Sequence, residues 1–336
     1  MNGEVLHFEA AINPYGCSTK VVEAVEEFAR SKQYRFYGET DAAGLRESLA
    51  AHHNLSPENF VVSNGAGEAL AWTFLLKLVM RPGRLIAPYP SYERFVEAGK
   101  RYSTELIEVA LDAETFSLPL DSFVETARNG RATLGLISNP NNPSGNLLLD
   151  EAGMAKLLDE TPDCLWIIDE AYADYAGVSF APWVRERTNL IVLRTFSKAY
   201  GLAGLRVGCA IAHPTVAQQL ARVRLPWAVN SASLAAAQAA LEDQGYLKEI
   251  TGRIRDDCLK FYSELGKIPY FHVHPTAANF FLIHLAGIEP ASLKKHLAAH
   301  RIQVRSRPDM PDHIRVTSML PHENQHLLNV LREFDG

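Results

Sequence analysis

The chain of 336 residues is 47% apolar and 21% charged, a globular composition with ample material for a sizeable core in one large or two modest domains. Its net charge of -6, spread without a long basic or acidic block, excludes the electrostatic signature of nucleic-acid or anionic-membrane binding. The four cysteines, Cys17, Cys164, Cys209 and Cys258, lack paired spacing, so neither a disulfide framework nor a zinc site is expected. Cys164 and Cys209 fall in apolar runs and read as buried thiols.

The amino terminus, Met1-Asn2-Gly3-Glu4-Val5, has no basic stretch followed by an apolar one, and no signal peptide is read there. No apolar run approaches the roughly 18 residues of a membrane span. Residues 69–80 come nearest and are broken by Lys77. A cytoplasmic protein is expected, with no membrane and no nucleic acid among its partners.

Through the middle of the chain, apolar runs alternate with helical patterns. Phe60-Val61-Val62 leads to a helix from about Glu68, and Leu85-Ile86-Ala87 to one from about Tyr92. Leu134-Gly135-Leu136-Ile137 leads to one near Asp150; then come Leu165-Trp166-Ile167-Ile168, Leu190-Ile191-Val192-Leu193 and Val207-Gly208-Cys209-Ala210. Runs that are apolar throughout mark strands buried on both faces, hence an α/β fold whose mostly parallel sheet is covered by helices. After Pro226 the pattern changes. An Ala-rich stretch over 233–241 precedes a helix over about 245–265, and Phe280-Phe281-Leu282-Ile283 and Ile314-Arg315-Val316 flank a helix over about 291–300. This predicts a second, smaller α+β domain. His272 and His274 alternate along an expected strand, but no further ligand lies near them in sequence and no metal site is expected.

Ligands of parallel sheets sit beyond the carboxyl ends of the strands. Asn142, Asp169 and Lys198 each lie just after an apolar run. The segment Thr195-Phe196-Ser197-Lys198-Ala199-Tyr200-Gly201-Leu202-Ala203-Gly204-Leu205-Arg206 puts a lysine among small hydroxyls, with an arginine eight residues on. Such a lysine can form an imine with an aldehyde cofactor while hydroxyls and arginine hold an anion beside it, the layout that grips pyridoxal phosphate. Further donors come from Ser63-Asn64-Gly65-Ala66-Gly67-Glu68. There the N–H groups of Gly65, Ala66 and Gly67 open a helix and can receive the phosphate, with Thr195, Ser197 and Arg206 completing the cradle.

Taken in order, Asn139-Pro140-Asn141-Asn142-Pro143-Ser144-Gly145, Asp169-Glu170-Ala171-Tyr172 and the Lys198 segment resemble the fold-type I aminotransferases, and within them the histidinol-phosphate aminotransferase branch. The resemblance runs from Asn13-Pro14-Tyr15-Gly16 to Ile314-Arg315-Val316-Thr317. Around Pro226-Trp227-Ala228-Val229-Asn230 and Val304-Arg305-Ser306 the chain also looks like threonine-phosphate decarboxylases of the same fold.

The resemblance implies a fold-type I architecture. An arm of residues 1–35 would pack with a small domain of 227–336, around a large cofactor-binding domain of 36–226. Lys198 would be the Schiff-base lysine and a proton shuttle. Asp169 would keep the ring nitrogen protonated, with Tyr172 and Asn142 bonding the phenolic oxygen and Tyr92 stacking on the ring. Tyr37 matches a tyrosine that reaches the phosphate of the neighbouring subunit, so a homodimer is implied; Gly38 stands where a proline is usual. Arg315 would fork onto a substrate carboxylate. Arg305 is the better candidate for a second anion, Arg307 reading as an exposed charge, and Tyr15 would line the same pocket.

The implied activity is transfer of an amino group between an amino acid or phosphorylated amino alcohol and a 2-oxo acid. A threonine-phosphate decarboxylase-like enzyme is the alternative, against which stands the missing His-Gly-Gly segment ahead of Asn13. A non-catalytic cofactor-binding regulatory module would need an attached DNA-binding segment, and only twelve residues precede Asn13.

Overall fold

The computed structural model describes residues 5–79, 83–101 and 105–334. The chain enters through a two-residue strand, β1 (Leu6–His7), and two helices, α1 (Thr19–Ser31) and α2 (Ala43–His53). The runs read as buried strands then appear as β2 (Phe60–Ser63), β3 (Arg84–Tyr89), β4 (Leu106–Ala110), β5 (Ala132–Ser138), β6 (Leu165–Asp169), β7 (Leu190–Thr195) and β8 (Gly208–Ala212). They form one seven-stranded sheet in the order β2-β8-β7-β6-β5-β3-β4. Strands β6, β7 and β8 are buried at every position, which is why their sequences show no alternation.

The pairs from β7 through β6, β5 and β3 to β4 are parallel, whereas β8 runs antiparallel to both β7 and β2. The reversal follows from a short connection: the segment from Phe196 to Val207 turns straight back, and it carries Lys198 and Arg206 at the turn. Strand β4 was not among the apolar runs. It lies at the sheet edge, none of its residues is fully buried, and its pattern is correspondingly weak.

Helices α3 (Ala66–Phe74), α4 (Glu93–Arg101), α5 (Leu120–Asn129), α6 (Glu151–Glu160), α7 (Ala173–Ala176) and α8 (Pro214–Val223) follow the strands. Asp150 caps α6, its Oδ1 accepting from the Gly153 N–H at 2.7 Å. Beyond Pro226, α9 (Ser231–Glu242) is capped by Asn230, whose Oδ1 accepts from the Ser233 N–H at 2.9 Å, and it packs against α1 and α2. The long α10 (Gln244–Leu265) leads to β9 (Phe271–Val273), β10 (Phe280–Leu285), α11 (Pro290–Ala299), β11 (Ile302–Gln303), β12 (Arg305–Arg307), β13 (Met310–Thr317) and α12 (Pro321–Arg332).

A second, antiparallel sheet has the order β12-β13-β10-β9, and β1 pairs in parallel with β11. The first residues are stitched to this sheet. Phe8 O accepts from the Thr317 N–H at 2.8 Å, Ala11 N–H donates to Thr317 Oγ1 at 2.9 Å, and Asn279 Nδ2 donates to Ile12 O at 2.8 Å. Cys164, Cys209 and Cys258 are buried, and burial pushes each thiol up to about 12. Among the described residues no helix is long and apolar enough to cross a membrane.

Candidate active site

The carboxyl ends of β5, β6 and β7 open onto one cavity, facing β12 and β13 of the second sheet. It gathers every predicted site residue except Gly65, Tyr15 and Tyr37. Lys198 stands in the turn after β7. Its Nζ donates to Ala10 O at 3.4 Å and lies 5.3 Å from the centre of the Tyr172 ring. Asp169 ends β6 and is 7% exposed, its Oδ1 accepting from the Ala171 N–H at 3.1 Å. Burial pushes its carboxyl up to about 6, against the opposing pull of that hydrogen bond and of the Lys198 charge. Tyr92 shares the cavity, and burial, then the nearby Asp169 charge, pushes its phenol up to about 12.

Glycine is required where the anion cradle begins. Gly65 caps α3 at φ +82°, and a Cβ there would stand 2.5 Å from Arg206 Nη2. Arg206, itself at φ 54°, donates from Nη1 to Ser197 Oγ at 3.3 Å and to Ala203 O at 3.1 Å. The Ser197 N–H donates to Thr195 Oγ1 at 3.1 Å. Gly65 therefore lies behind the guanidinium, while Ala66 and Gly67 at the helix start face the cavity, where first-turn N–H groups have no partner within the helix.

Beneath the cavity floor, Arg194 of β7 is buried with Glu170 at 3.2 Å and with Asp174. Glu170 in turn accepts from Ser179 Oγ and from the Phe180 N–H. These pairs fix the strand ends that present Asp169 and Thr195. In the loop after β5, the Asn139 side chain accepts from the Leu148 N–H at 2.7 Å and donates to Leu149 O at 3.2 Å, leaving Asn142 at the cavity.

Opposite this floor, Arg305 and Arg315 are direct cross-strand partners on β12 and β13, so both guanidinium groups reach one pocket. Like charges so placed repel, and each has found other partners. Arg315 donates from Nη1 to Asn142 Oδ1 at 2.7 Å and from Nη2 to Glu9 O at 2.6 Å, over the Phe280 ring at 4.8 Å. Among the described residues its buried Nε has no partner, and burial lowers its pKa. Arg305 donates to the Glu93 carboxylate.

Two predictions need correction. Arg307 is buried, not a solvated charge: it grips Asp309 from Nε at 2.9 Å and donates from Nη1 to Ser91 O at 2.6 Å. Tyr15 does not line the cavity, because its hydroxyl is taken by Asp257 and its ring lies under Arg253 at 4.3 Å. Arg305 is not free. Tyr37 is 83% exposed, its ring 5.0 Å from Trp227 and outside the cavity formed by this chain.

Sequence reasoning missed Glu9, Glu93 and Arg94 of the lining. Glu93 and Arg94 adjoin Tyr92 and could have been found from that adjacency. The carbonyls of Glu9 and Ala10 carry no side-chain signal at all. Contacts across the two sheets form a ladder: Tyr89 Oη donates to Asp309 O at 3.1 Å, Ser91 O accepts from Arg307, and Glu93 accepts from Arg305.

The donor set fits pyridoxal phosphate. A lysine amine, a buried carboxylate whose burial cost a cationic ring nitrogen would offset, an aromatic wall at Tyr92 and a glycine-started anion cradle with Arg206 converge on one space. Residues 4–331 match the family described as "Aminotransferase class I and II". The chain belongs to that family, which is pyridoxal-phosphate-dependent, and is a transaminase. It is 33% identical over 337 residues to the histidinol-phosphate aminotransferase of Roseiflexus castenholzii, covering 98% of this chain and 89% of that one. The histidinol-phosphate aminotransferase of Sinorhizobium meliloti, solved in complex with pyridoxal-5'-phosphate, superposes with a TM-score of 0.88 at 24% identity, over 98% of this chain and 92% of that one. An L-threonine-O-3-phosphate decarboxylase from Porphyromonas gingivalis gives a TM-score of 0.86 at 25% identity, over 98% and 99%. The fold is thus that of the fold-type I transferases.

Proposed function

We propose that this transaminase moves an amino group between a phosphorylated amino alcohol of the histidinol-phosphate kind and a 2-oxo acid. The observation that carries the reading is the cross-strand pair Arg305–Arg315 in the cavity that holds Lys198. Two guanidinium groups facing one amine suit a substrate with two anionic ends or one doubly charged end.

When bound, pyridoxal phosphate supplies an electron sink for the pair released when the Cα–H bond breaks. The chain's own residues do the rest. Lys198 would carry the cofactor covalently and, once released, move a proton at Cα. Asp169 would hold a proton on the ring nitrogen, and Asn142 and Tyr172 would bond its phenolic oxygen. Thr195, Ser197, Arg206 and the first N–H groups of α3 would hold the phosphate. Arg315, with an unpartnered buried Nε, would orient the substrate's anionic end.

We assign residues 1–35 to an arm that packs with a small domain of 227–336, and 36–226 to the large cofactor-binding domain, on the strength of the β1–β11 pairing and the Thr317–Phe8 bond. We further propose a cytoplasmic homodimer. Its support is a set of exposed apolar side chains, Tyr34, Phe36, Tyr37, Leu225 and Trp227, with the Tyr37 ring packed 5.0 Å from Trp227, from where Tyr37 would reach the partner's phosphate site. The test is product analysis of the holoenzyme with phosphorylated amino alcohols and 2-oxoglutarate. Amino transfer supports the reading; carbon dioxide release from a phosphorylated amino acid without transfer would replace it with decarboxylation.

A further inference from the structure

Arg305 is the guanidinium best placed for a second substrate anion, yet it already donates to Glu93. The other two arginines of the same sheet are held differently. Arg315 rests on two neutral acceptors, Asn142 Oδ1 and Glu9 O, and Arg307 on Asp309, two residues away. Arg94, also at the cavity, is occupied by Glu97 at 2.6 Å. Of these four arginines, only Arg305 takes its counter-charge from the facing unit, at the first residue of α4, and that carboxylate lines the cavity itself. The two side chains are 42% and 34% exposed, so the pair can part without stranding a charge away from water.

We propose that Glu93 is a specificity-determining residue: a resident carboxylate that a substrate's anion must displace from Arg305. The inference rests on the transaminase reading above and sharpens its substrate class. A side-chain carboxylate that displaces Glu93 exchanges like for like, one monoanion with two acceptor oxygens for another, and gains nothing at Arg305. A phosphate monoester brings nearly two charges and three acceptor oxygens, so it can replace Glu93 and still face Arg315 directly across the strand pair. A neutral side chain leaves the ion pair as it is. Glu93 therefore sets a threshold that phosphate clears and carboxylate only matches.

Glu93→Gln keeps the shape of the side chain and removes its charge. Steady-state kinetics of the holoenzyme should show KM falling about fivefold for phosphorylated amino alcohols and for amino acids with a side-chain carboxylate, the size expected from removing a partly exposed ion pair. KM for neutral amino acids should stay within about twofold, because they never contest Arg305. Calorimetric titration of the holoenzyme with inorganic phosphate should show a matching fivefold gain in affinity. Equal changes for charged and neutral substrates would mean that Glu93 only braces the two units, and unchanged phosphate affinity would overturn the proposal outright. Glu93→Ala gives the same comparison should the glutamine pair with Arg305 through its amide. If no phosphorylated amino alcohol is turned over by either protein, the functional reading fails, while the phosphate titration still decides the role of Glu93.

Discussion

Replacing Gly65 with alanine tests the anion cradle through backbone geometry alone. Gly65 caps α3 at φ +82° and ψ 158°, a region essentially reserved for glycine, where a residue with a Cβ loses about 1–3 kcal/mol. The added carbon would lie 2.5 Å from Nη2 and 3.2 Å from Cζ of Arg206, against an ordinary contact near 3.5 Å. The guanidinium must therefore withdraw by about 1 Å. It is the side that yields, since among the described residues it is tethered by bonds of 3.3 Å to Ser197 Oγ and 3.1 Å to Ala203 O at the end of a flexible side chain. A withdrawn Arg206 forfeits one charge-assisted bond to the cofactor phosphate, about 1.5–3 kcal/mol. Cofactor affinity should fall roughly tenfold to a hundredfold, and Tm by a few degrees from the backbone strain. The assay is titration of cofactor-stripped protein with pyridoxal phosphate, followed by the absorbance of the bound cofactor, with calorimetry for Tm. An affinity within about threefold of wild type, with Tm lowered as expected, would refute the cradle while leaving the strain intact.

Lys198→Ala should abolish amino transfer and leave the fold standing, because among the described residues the amine makes one long hydrogen bond, to Ala10 O; a rate within about tenfold of wild type, some 1.4 kcal/mol of barrier, would sink the assignment. Asp169→Asn should flatten the pH dependence of stability in cofactor-stripped protein. With the folded carboxyl raised to about 6, the native state holds the proton more tightly than the unfolded one, so stability falls as pH climbs from about 4 through about 6. A wild-type curve that rises over that window relative to the variant would contradict the burial argument. Tyr37→Ala should weaken cofactor binding only in the assembled protein, and sedimentation showing a fully active monomer at micromolar concentration would end the cross-subunit proposal.

What the sequence made legible was whatever is written in side chains at strand ends. Asp169 and Lys198 each follow a run buried on both faces, and such runs announce both the strand and the place where it stops. The reversed direction of β8 was not legible, since an apolar run is the same read either way; only the shortness of the loop carrying Lys198 hints at it. Arg307 was misjudged because burial of a charge depends on partners, and Ser91 lies 216 residues away. The part played by Glu9 and Ala10 could not be read at all. Their carbonyls meet Arg315 and Lys198, and every residue type has a carbonyl.

The ladder between the two sheets sets a difference in stiffness across the site. On one side the groups expected to hold the cofactor are anchored at the ends of strands buried throughout, braced from below by Arg194 with Glu170 and Asp174. On the other, Arg305 meets α4 through a rung that is partly open to water, and the Tyr89 rung is also exposed. Thermal motion should therefore concentrate in the wall and spare the floor, with backbone amides of β12 exchanging hydrogen faster than those of β6 and β7. A rigid floor with a breathing wall lets two chemically different partners visit the same amine in turn, each meeting a wall adjusted to its own length and charge.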